Sequence, residues 1–422
     1  MLIEFSVANF RSLHEKQTFT LAKAAGKELL DSNTFNTEAF NSFELLRSAV
    51  VYGANASGKS NFIRALQTMK DVVIESATGQ RGDTLPITPF RLSSESTHEP
   101  SEFEATFIID KVRYQYGFSA TAERIHDEWL LAYPMGRPQR WIDRSWNATS
   151  RSYDWALGEK LIGEKQLWQK STRENALFLS TAVQLNSEQL QPVYDWFSKN
   201  LHLSNIGGWS SIFSASLCEK DEKAQVLDFL HAADLNIEDI IINKEEFDVD
   251  TLPDEMPEQV KIEVAREMKG KQLLEIKIVH KSVEGNLITF DFNDESDGTR
   301  KLFSFAGPWI DTLANGYVLF IDELHDNLHP NLVKFLVQLF HSSETNPNNA
   351  QLVFTTHDTS ILNQDLFRRD QIWFSEKDQN QASKVYPLTD FSPRKGRENL
   401  ELAYLSGRYG ALPYIRSLRK RA

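Results

Sequence analysis

The chain has 422 residues, 41% of them hydrophobic and 25% charged, with a formal net charge of −13. These are globular proportions, which exclude a disordered or fibrous chain, and the length allows two or three domain-sized units or one large domain with an insertion. The acid excess argues against a surface coated for nonspecific nucleic-acid binding. A lone cysteine, Cys218, excludes a disulfide framework and a cysteine-cluster metal site, and suits a reducing cytoplasm. There is no uninterrupted apolar run of about 18 residues, so no spanning helix is expected. The opening MLIEFSVANFRS reads as alternating strand rather than as a leader.

Ile3, Phe5 and Val7 alternate with Glu4 and Ser6, the period of a half-buried strand, with Asn9–Ser12 its turn and Gln17–Leu21 the return. A looser polar segment spans 24–42. Leu45–Tyr52 is an apolar run of strand length that ends in glycine, and beyond the loop Phe62, Ala65, Leu66 and Met69 share one helical face. The stretch 83–100 is a surface connection rich in Pro, Ser, Thr and Glu. Phe103–Ile109 and Val112–Phe118 form a hairpin about Asp110-Lys111. Glu128–Trp155 reads as β with loops, 176–200 and Glu222–Ala232 as helical, and Thr251–Glu258 as a linker. Leu273–Val279 and Leu287–Phe292 are strands, and Gly298–Leu313 is a helix. Val318–Ile321 and Gln351–Thr355 read as buried parallel strands, with the helix Leu332–Phe340 between them. Repeats, sustained heptads and low-complexity tracts are absent from the sequence.

Gly53-Ala54-Asn55-Ala56-Ser57-Gly58-Lys59-Ser60 satisfies GxxxxGK[ST], with a strand before it and an amphipathic helix after it. Its glycines let backbone N–H groups wrap phosphate at the positive end of a helix. Lys59 is placed to reach the β- and γ-phosphates of ATP, Ser60 to hold Mg²⁺, and Gly53, Asn55, Ser57, Gly58 and Asn61 to complete the cradle. Val318–Ile321 runs into Asp322 and Glu323. A carboxylate ending a buried strand beside such a loop binds Mg²⁺ through water, and the next acid polarises the attacking water, so Asp322 is the metal residue and Glu323 the general base. His357, just past Gln351–Thr355, is a γ-phosphate sensor. Ser296-Asp297-Gly298-Thr299 opens a helix as a second anion site, with Ser296, Gly298 and Thr299 offering a hydroxyl and backbone N–H groups. One nucleotide does not need two such sites, whereas two chains facing each other do. An ordinary N-cap is the alternative for this turn.

In this order the four elements resemble the ABC-type ATPase heads of the SMC, RecF and OLD group, and Asn9-Phe10-Arg11-Ser12 resembles that group's opening motif. Pro89-Phe90-Arg91, Tyr114–Phe118, Leu328-His329-Pro330 and Tyr404–Gly410 narrow the resemblance to small stand-alone ATPases of bacterial phage-defence loci, of the RloA, AbiL and PARIS types. The resemblance implies an α/β P-loop NTPase: an ABC-type head with a mixed sheet and an inserted β/helical subdomain. The head would comprise 1–120 and 271–422, and 121–270 would be a lid or partner-docking insertion. It further implies a cytoplasmic ATPase that binds ATP and Mg²⁺, forms a homodimer or higher homo-oligomer, and controls a separate toxin or nuclease. Asp326–His329 takes the D-loop position, and Gln115 is the candidate for the Q-loop glutamine. Two features depart from transporter patterns, SDGT standing for SGGQ and His329 for the D-loop aspartate, and the segment where SMC relatives carry long coiled coils has no heptads.

Two motifs imitate other chemistry. His325–His329 resembles HExxH but has Asp in place of Glu, and Asn243–Glu246 resembles NKxD but has Glu in place of Asp. The tryptophans between Trp129 and Trp155, with Arg137, Arg140, Arg144 and Arg151, read as a β-lobe core with a basic face, nucleotide stacking being the alternative. The tail Arg416–Arg421 is basic. Two further functions fit the same head: a DNA-repair clamp, favoured by a basic groove in the dimer, and a scaffold that binds ATP with little turnover.

Overall fold

The computed structural model describes residues 1–40, 43–204, 208–220, 222–246, 257–268, 272–394, 396 and 398–414. The basic run Arg416–Arg421 and residues 251–256 of the expected linker lie outside these. Contacts divide the chain into two units, Met1–Gly207 with Thr312–Ala422, and Gly208–Asp311.

In the first unit, β1 (Leu2–Ala8) pairs antiparallel with β2 (Gln17–Thr20), setting Phe5 opposite Phe19. The strand is not half-buried as expected, because both of its faces are covered. Phe5 and Val7 join the main core, while Ile3 joins Phe35, Ala39, Leu45 and Ile108 in a smaller cluster. β3 (Thr34–Asn36) and β4 (Glu44–Leu46) form a short ribbon. The apolar run Leu45–Tyr52 is therefore not one strand. It breaks at Arg47, whose buried guanidinium donates to Thr34 O and Asn346 O at 3.3 and 3.1 Å, and β5 (Ser48–Tyr52) starts after it.

The helix Lys59–Glu75 buries the predicted face, and Ile63, Val72 and Val73 as well. One cluster of buried apolar side chains links Phe5, Phe19 and Phe103 through Phe62, Leu66 and Met69 to Val51, Phe320 and Val353. Each fully buried side chain of this kind stabilises by about 1.5–3 kcal/mol.

β6 (Ser101–Ile109), β7 (Val112–Ala120), β8 (Ile125–Tyr133), β9 (Gln139–Asn147) and β10 (Ser152–Trp155) form a meander. It continues the sheet of β1 and β2, giving seven antiparallel strands in the order β10-β9-β8-β7-β6-β1-β2. Residues 125–155, expected inside the insertion, therefore extend the N-terminal sheet, each strand pairing with its predecessor. Glu128, wholly buried, accepts from Tyr116 Oη, Phe178 N and Leu179 N at 3.1, 2.6 and 2.9 Å and faces Arg144 at 3.6 Å. Desolvation raises its pKa against the pull of Arg144. The helical stretch 176–200 resolves into Phe178–Gln184, Gln191–Asp195 and a π-turn Trp196–Asn200 that leads into β11 (Leu201–Ser204).

The second unit holds helices Ile212–Glu219, Lys223–Ala232 and Glu258–Met268 and a three-stranded antiparallel sheet of β12 (Asp239–Glu246), β13 (Gln272–Lys281) and β14 (Leu287–Asp291). It thus takes 208–270 of the expected insertion and adds 271–311, because β12 pairs with β13 along its length. The helix Asp297–Asn315 contains Pro308, which cannot donate to Ser304 O. Ser214 Oγ bridges that gap, donating to Ser304 O at 3.4 Å and accepting from Gly307 N at 2.9 Å.

Back in the first unit, β15 (Val318–Ile321), β16 (Gln351–Thr356), β17 (Ile372–Lys377) and β18 (Ser383–Pro387) complete a six-stranded sheet in the order β11-β15-β16-β5-β17-β18. All its pairings are parallel except β17 with β18, and β5, β15 and β16 are buried throughout. This is the expected α/β P-loop architecture. Among the described residues, no helix is long and apolar enough to cross a membrane.

Candidate nucleotide-binding site

Three parallel strands end side by side. β5 runs into the Gly53–Ser60 loop, β16 into His357, and β15 into Asp322 and Glu323. Strands lie about 4.8 Å apart, so the two acids start about two spacings from the loop, with the histidine strand between.

The loop's shape depends on its glycines. A Cβ at Gly53 would lie 2.3 Å from Ser375 O, and one at Gly58 would lie 2.1 Å from Ser383 Oγ, with φ at +111°. Ala56 also takes a left-handed φ, 62°. Ser375 Oγ donates to Ser57 O at 3.2 Å, anchoring the loop to β17. Ser57 Oγ is buried and has no hydrogen-bond partner among the described residues. Gly58 caps the helix that follows and supplies no side-chain bond, so the first N–H groups keep their donors for an outside acceptor. Lys59 is buried and folds back, Nζ donating to Gly53 O at 2.7 Å and Ala54 O at 3.2 Å. Desolvation lowers its pKa, opposed by the charges of Glu323 and Asp322. The uncapped helix start, the orphaned Ser57 hydroxyl and the buried cation together fit a bound phosphate chain.

The acids are oriented by a residue that sequence reasoning missed. Thr355 Oγ1 donates to Asp322 Oδ1 at 2.6 Å and accepts from Glu323 N at 2.8 Å, while Thr355 O accepts from Leu324 N at 3.2 Å. Glu323 takes a left-handed φ of 55°, which turns it out of the strand direction. A threonine inside an apolar strand reads as β-branched filler, and only its place across from Asp322 reveals this task. Asp322 and Ser60 are the residues that could hold a divalent cation. Asp322 is buried, and its Oδ1 already accepts from Thr355.

His357 is exposed and Asp358 N donates to Thr356 Oγ1 at 3.0 Å. A cavity of about 750 Å³ opens between Gly53–Ser57, His357 and the C-terminal segment Tyr404–Tyr414. That segment is bonded to the site: Ala54 N donates to Ala411 O at 2.9 Å, and Thr359 Oγ1 donates to Glu401 Oε1 at 2.8 Å. Ala411 N in turn donates to Glu376 Oε2 at 2.9 Å, and Tyr404 Oη to Ala411 O at 3.0 Å.

On the other side, the Asn9–Ser12 turn meets the helix start. Asn61 Nδ2 and Ser383 Oγ both donate to Ser12 Oγ at 2.8 Å. Asn9 pins the 88–100 connection beneath it, donating to Ser96 O and accepting from Phe90 N at 2.8 and 3.0 Å. A cavity of about 260 Å³ beside Asn61 is lined by Arg11, Ser12, Phe90, Arg91 and Lys377, with no carboxylate among the described residues that line it. Burial and the charges of Arg64 and Arg91 lower the Arg11 pKa.

Ser296, Gly298 and Thr299 belong to the second unit. Ser296 Oγ accepts from Thr299 N at 3.1 Å and bonds Thr299 Oγ1 at 2.9 Å, which is N-cap geometry. Gln115 lies within β7, its amide engaged by Glu104 and Tyr133 at 3.0 Å each. The imitation motifs are accounted for. His329 Nδ1 caps a helix by accepting from Asn331 N, and no group of three or more metal-ligating side chains forms among the described residues. Asn243 and Lys244 bond Glu275 and Glu219 at 2.8 and 3.0 Å. The aromatic lobe is internal rather than a solvated basic face at Arg144, which is wholly buried 3.9 Å beneath Tyr153. Trp129 Nε1 likewise donates to Glu104 at 2.7 Å.

The sequence profile of a family described as "AAA domain, putative AbiEii toxin, Type IV TA system" matches residues 48–363, about three quarters of the chain. The chain belongs to this family. Its AAA domain is a P-loop ATPase domain, and the match begins at β5 and ends just past His357. Among curated proteins no sequence matches this AAA-family chain. Two solved structures are similar to it: an SMC head bound to the C-winged helix domain of ScpA, and the SMC head domain from Thermotoga maritima. The first is 13% identical, covers 92% of this chain and 97% of its own, and has a TM-score of 0.41. The second is 12% identical, covers 92% and 98%, and has a TM-score of 0.39.

Proposed function

We propose that this chain hydrolyses ATP as a switch: it closes on a second copy around ATP, and that state controls a separate effector in defence against phage. The observation that carries the hydrolytic part is the strand order, which sets His357 between the phosphate loop and the Asp322-Glu323 pair. The loop donors of Gly53–Asn61 bind the β- and γ-phosphates, and Lys59 exchanges its two carbonyl partners for phosphate oxygens. Ser60 and Asp322 would hold Mg²⁺, which would supply charge neutralisation on the phosphates. Thr355 holds the turn that aims Glu323 at the attacking water, and Glu323 draws the proton from that water. His357 donates to the γ-phosphate.

Ser296, Gly298 and Thr299 of a second copy complete the γ-phosphate's surroundings. Gly208–Asp311 is the surface on which a partner docks. The family's toxin–antitoxin description supports a separate partner, which on this reading is a toxin or nuclease met in the cytoplasm.

The test is light-scattering mass of Glu323→Gln with and without ATP and Mg²⁺, beside phosphate release by the parent. Glu323→Gln should double in mass with ATP, while turnover falls about 10²- to 10⁴-fold. A mass indifferent to ATP would sink the facing-copies reading. Undiminished turnover would remove Glu323 as the base.

A further inference from the structure

The loop after Glu323 carries a histidine that the mechanism above leaves idle. His325 Nε2 lies 3.0 Å from His357 Nε2, and the rings meet edge-to-face with centroids 3.9 Å apart and planes at 76°. A hydrogen bond between two imidazole nitrogens needs one protonated and the other bare, so each ring fixes the position of the proton on the other. The two rings hang from neighbouring strands, with Ile321 of β15 registered against Phe354 of β16. The His325 loop is itself held. Leu324 N donates to Thr355 O at 3.2 Å, Asp326 N to Glu323 O at 3.1 Å, and Leu328 N to His325 O at 3.0 Å. Thr355 thus ties both the catalytic turn and the start of this loop to the strand that carries His357.

We propose that His325 is a positioning residue for His357. It holds the ring of His357 through the Nε2–Nε2 bond and selects the tautomer with which that ring meets the γ-phosphate. This rests on the reading of His357 as the group that senses the γ-phosphate.

Steady-state kinetics and imidazole ¹⁵N spectra test this together. His325→Ala should lower kcat about tenfold, the lower end of the loss when an orienting partner is removed, with KM for ATP unchanged. His325→Gln, whose amide both donates and accepts, should recover most of that kcat. The double variant His325→Ala/His357→Ala should be no slower than His357→Ala alone, as expected when one residue acts through the other. An unchanged kcat in His325→Ala, or losses that multiply in the double variant, would overturn the assignment. If the parent protein proves not to hydrolyse ATP, the functional reading fails separately, and the spectra still decide the pair. His357 should show a single tautomer in the parent and a mixture in His325→Ala, whereas unchanged His357 nitrogen shifts would dismiss the contact.

Discussion

Two helices of this chain open on turns that were both read as phosphate-binding, and they treat their own first N–H groups in opposite ways. Lys59–Glu75 begins at Gly58, which offers no side chain, so its donors are left for something outside the chain. Asp297–Asn315 begins beside Ser296, whose hydroxyl already accepts from Thr299 N at 3.1 Å. Both leave the same orphan groups. The bare start leaves its donors open to an anion, whereas the capped start already spends one of its donors on Ser296 and would have to rotate that hydroxyl away to meet a phosphate. At Gly58 the bare start counts because it comes with a buried lysine and a buried serine hydroxyl without a partner among the described residues, which the capped start at Ser296 does not have beside it.

The largest effect that breaks this comparison is expected at Gly58. Gly58→Ala places a methyl 2.1 Å from Ser383 Oγ at a φ of +111°, so the loop must move. Displacement on the ångström scale at a positioning element costs about a hundredfold. Binding of a fluorescent ATP analogue should weaken by about that factor, and retained affinity would show that the phosphate sits elsewhere.

A smaller effect separates the two possible tasks of Ser296. Loss of a serine cap costs about 1 kcal/mol as Ser296→Ala but only a few tenths as Ser296→Gly. Urea titrations should show that difference, yet both variants should equally lose the ATP-dependent doubling of mass. Doubling preserved in both would leave Ser296 a cap and nothing more.

The smallest effect concerns the cation at the bare start. Burial lowers the Lys59 pKa from 10.5, so the unfolded chain binds this proton more tightly than the folded one. That penalty is fully present below the lowered value and is relieved as pH rises through it towards 10.5. Without nucleotide, Lys59→Met should be no less stable than the parent at pH 7, and the parent should gain on it towards pH 10. A variant that melts well below the parent at pH 7 would mean that Lys59 stabilises the empty loop rather than straining it.

What was legible in the sequence is local. The phosphate loop, the two apolar strands ending in Asp322 and before His357, and the hairpin about Asp110-Lys111 were readable because each is declared by neighbours within a few residues. What was not legible depends on distant partners. Periodicity marked 125–155 as β but could not say that those strands extend the sheet of β1. Arg47 splits an apolar run because Thr34 and Asn346 draw its guanidinium, and neither is near it in sequence. Thr355 could be read only as part of the run leading to His357, and nothing local tied it to Asp322 across the sheet. The Tyr404–Gly410 run was noticed only as a resemblance, and its meaning, a wall beside the phosphate loop, came with the Ala54–Ala411 bond.

That bond has a consequence in time. A ribosome delivers Ala54 early and Ala411 only after every strand described here, and domains begin to fold as they emerge. The phosphate loop and its helix can thus take shape on the nascent chain long before the wall beside them exists. A partly made chain has glycines and lysine in order but a pocket open on one side. The finished nucleotide site is among the last features of this protein to form, so a walled pocket is withheld until synthesis has reached the Tyr404–Tyr414 segment.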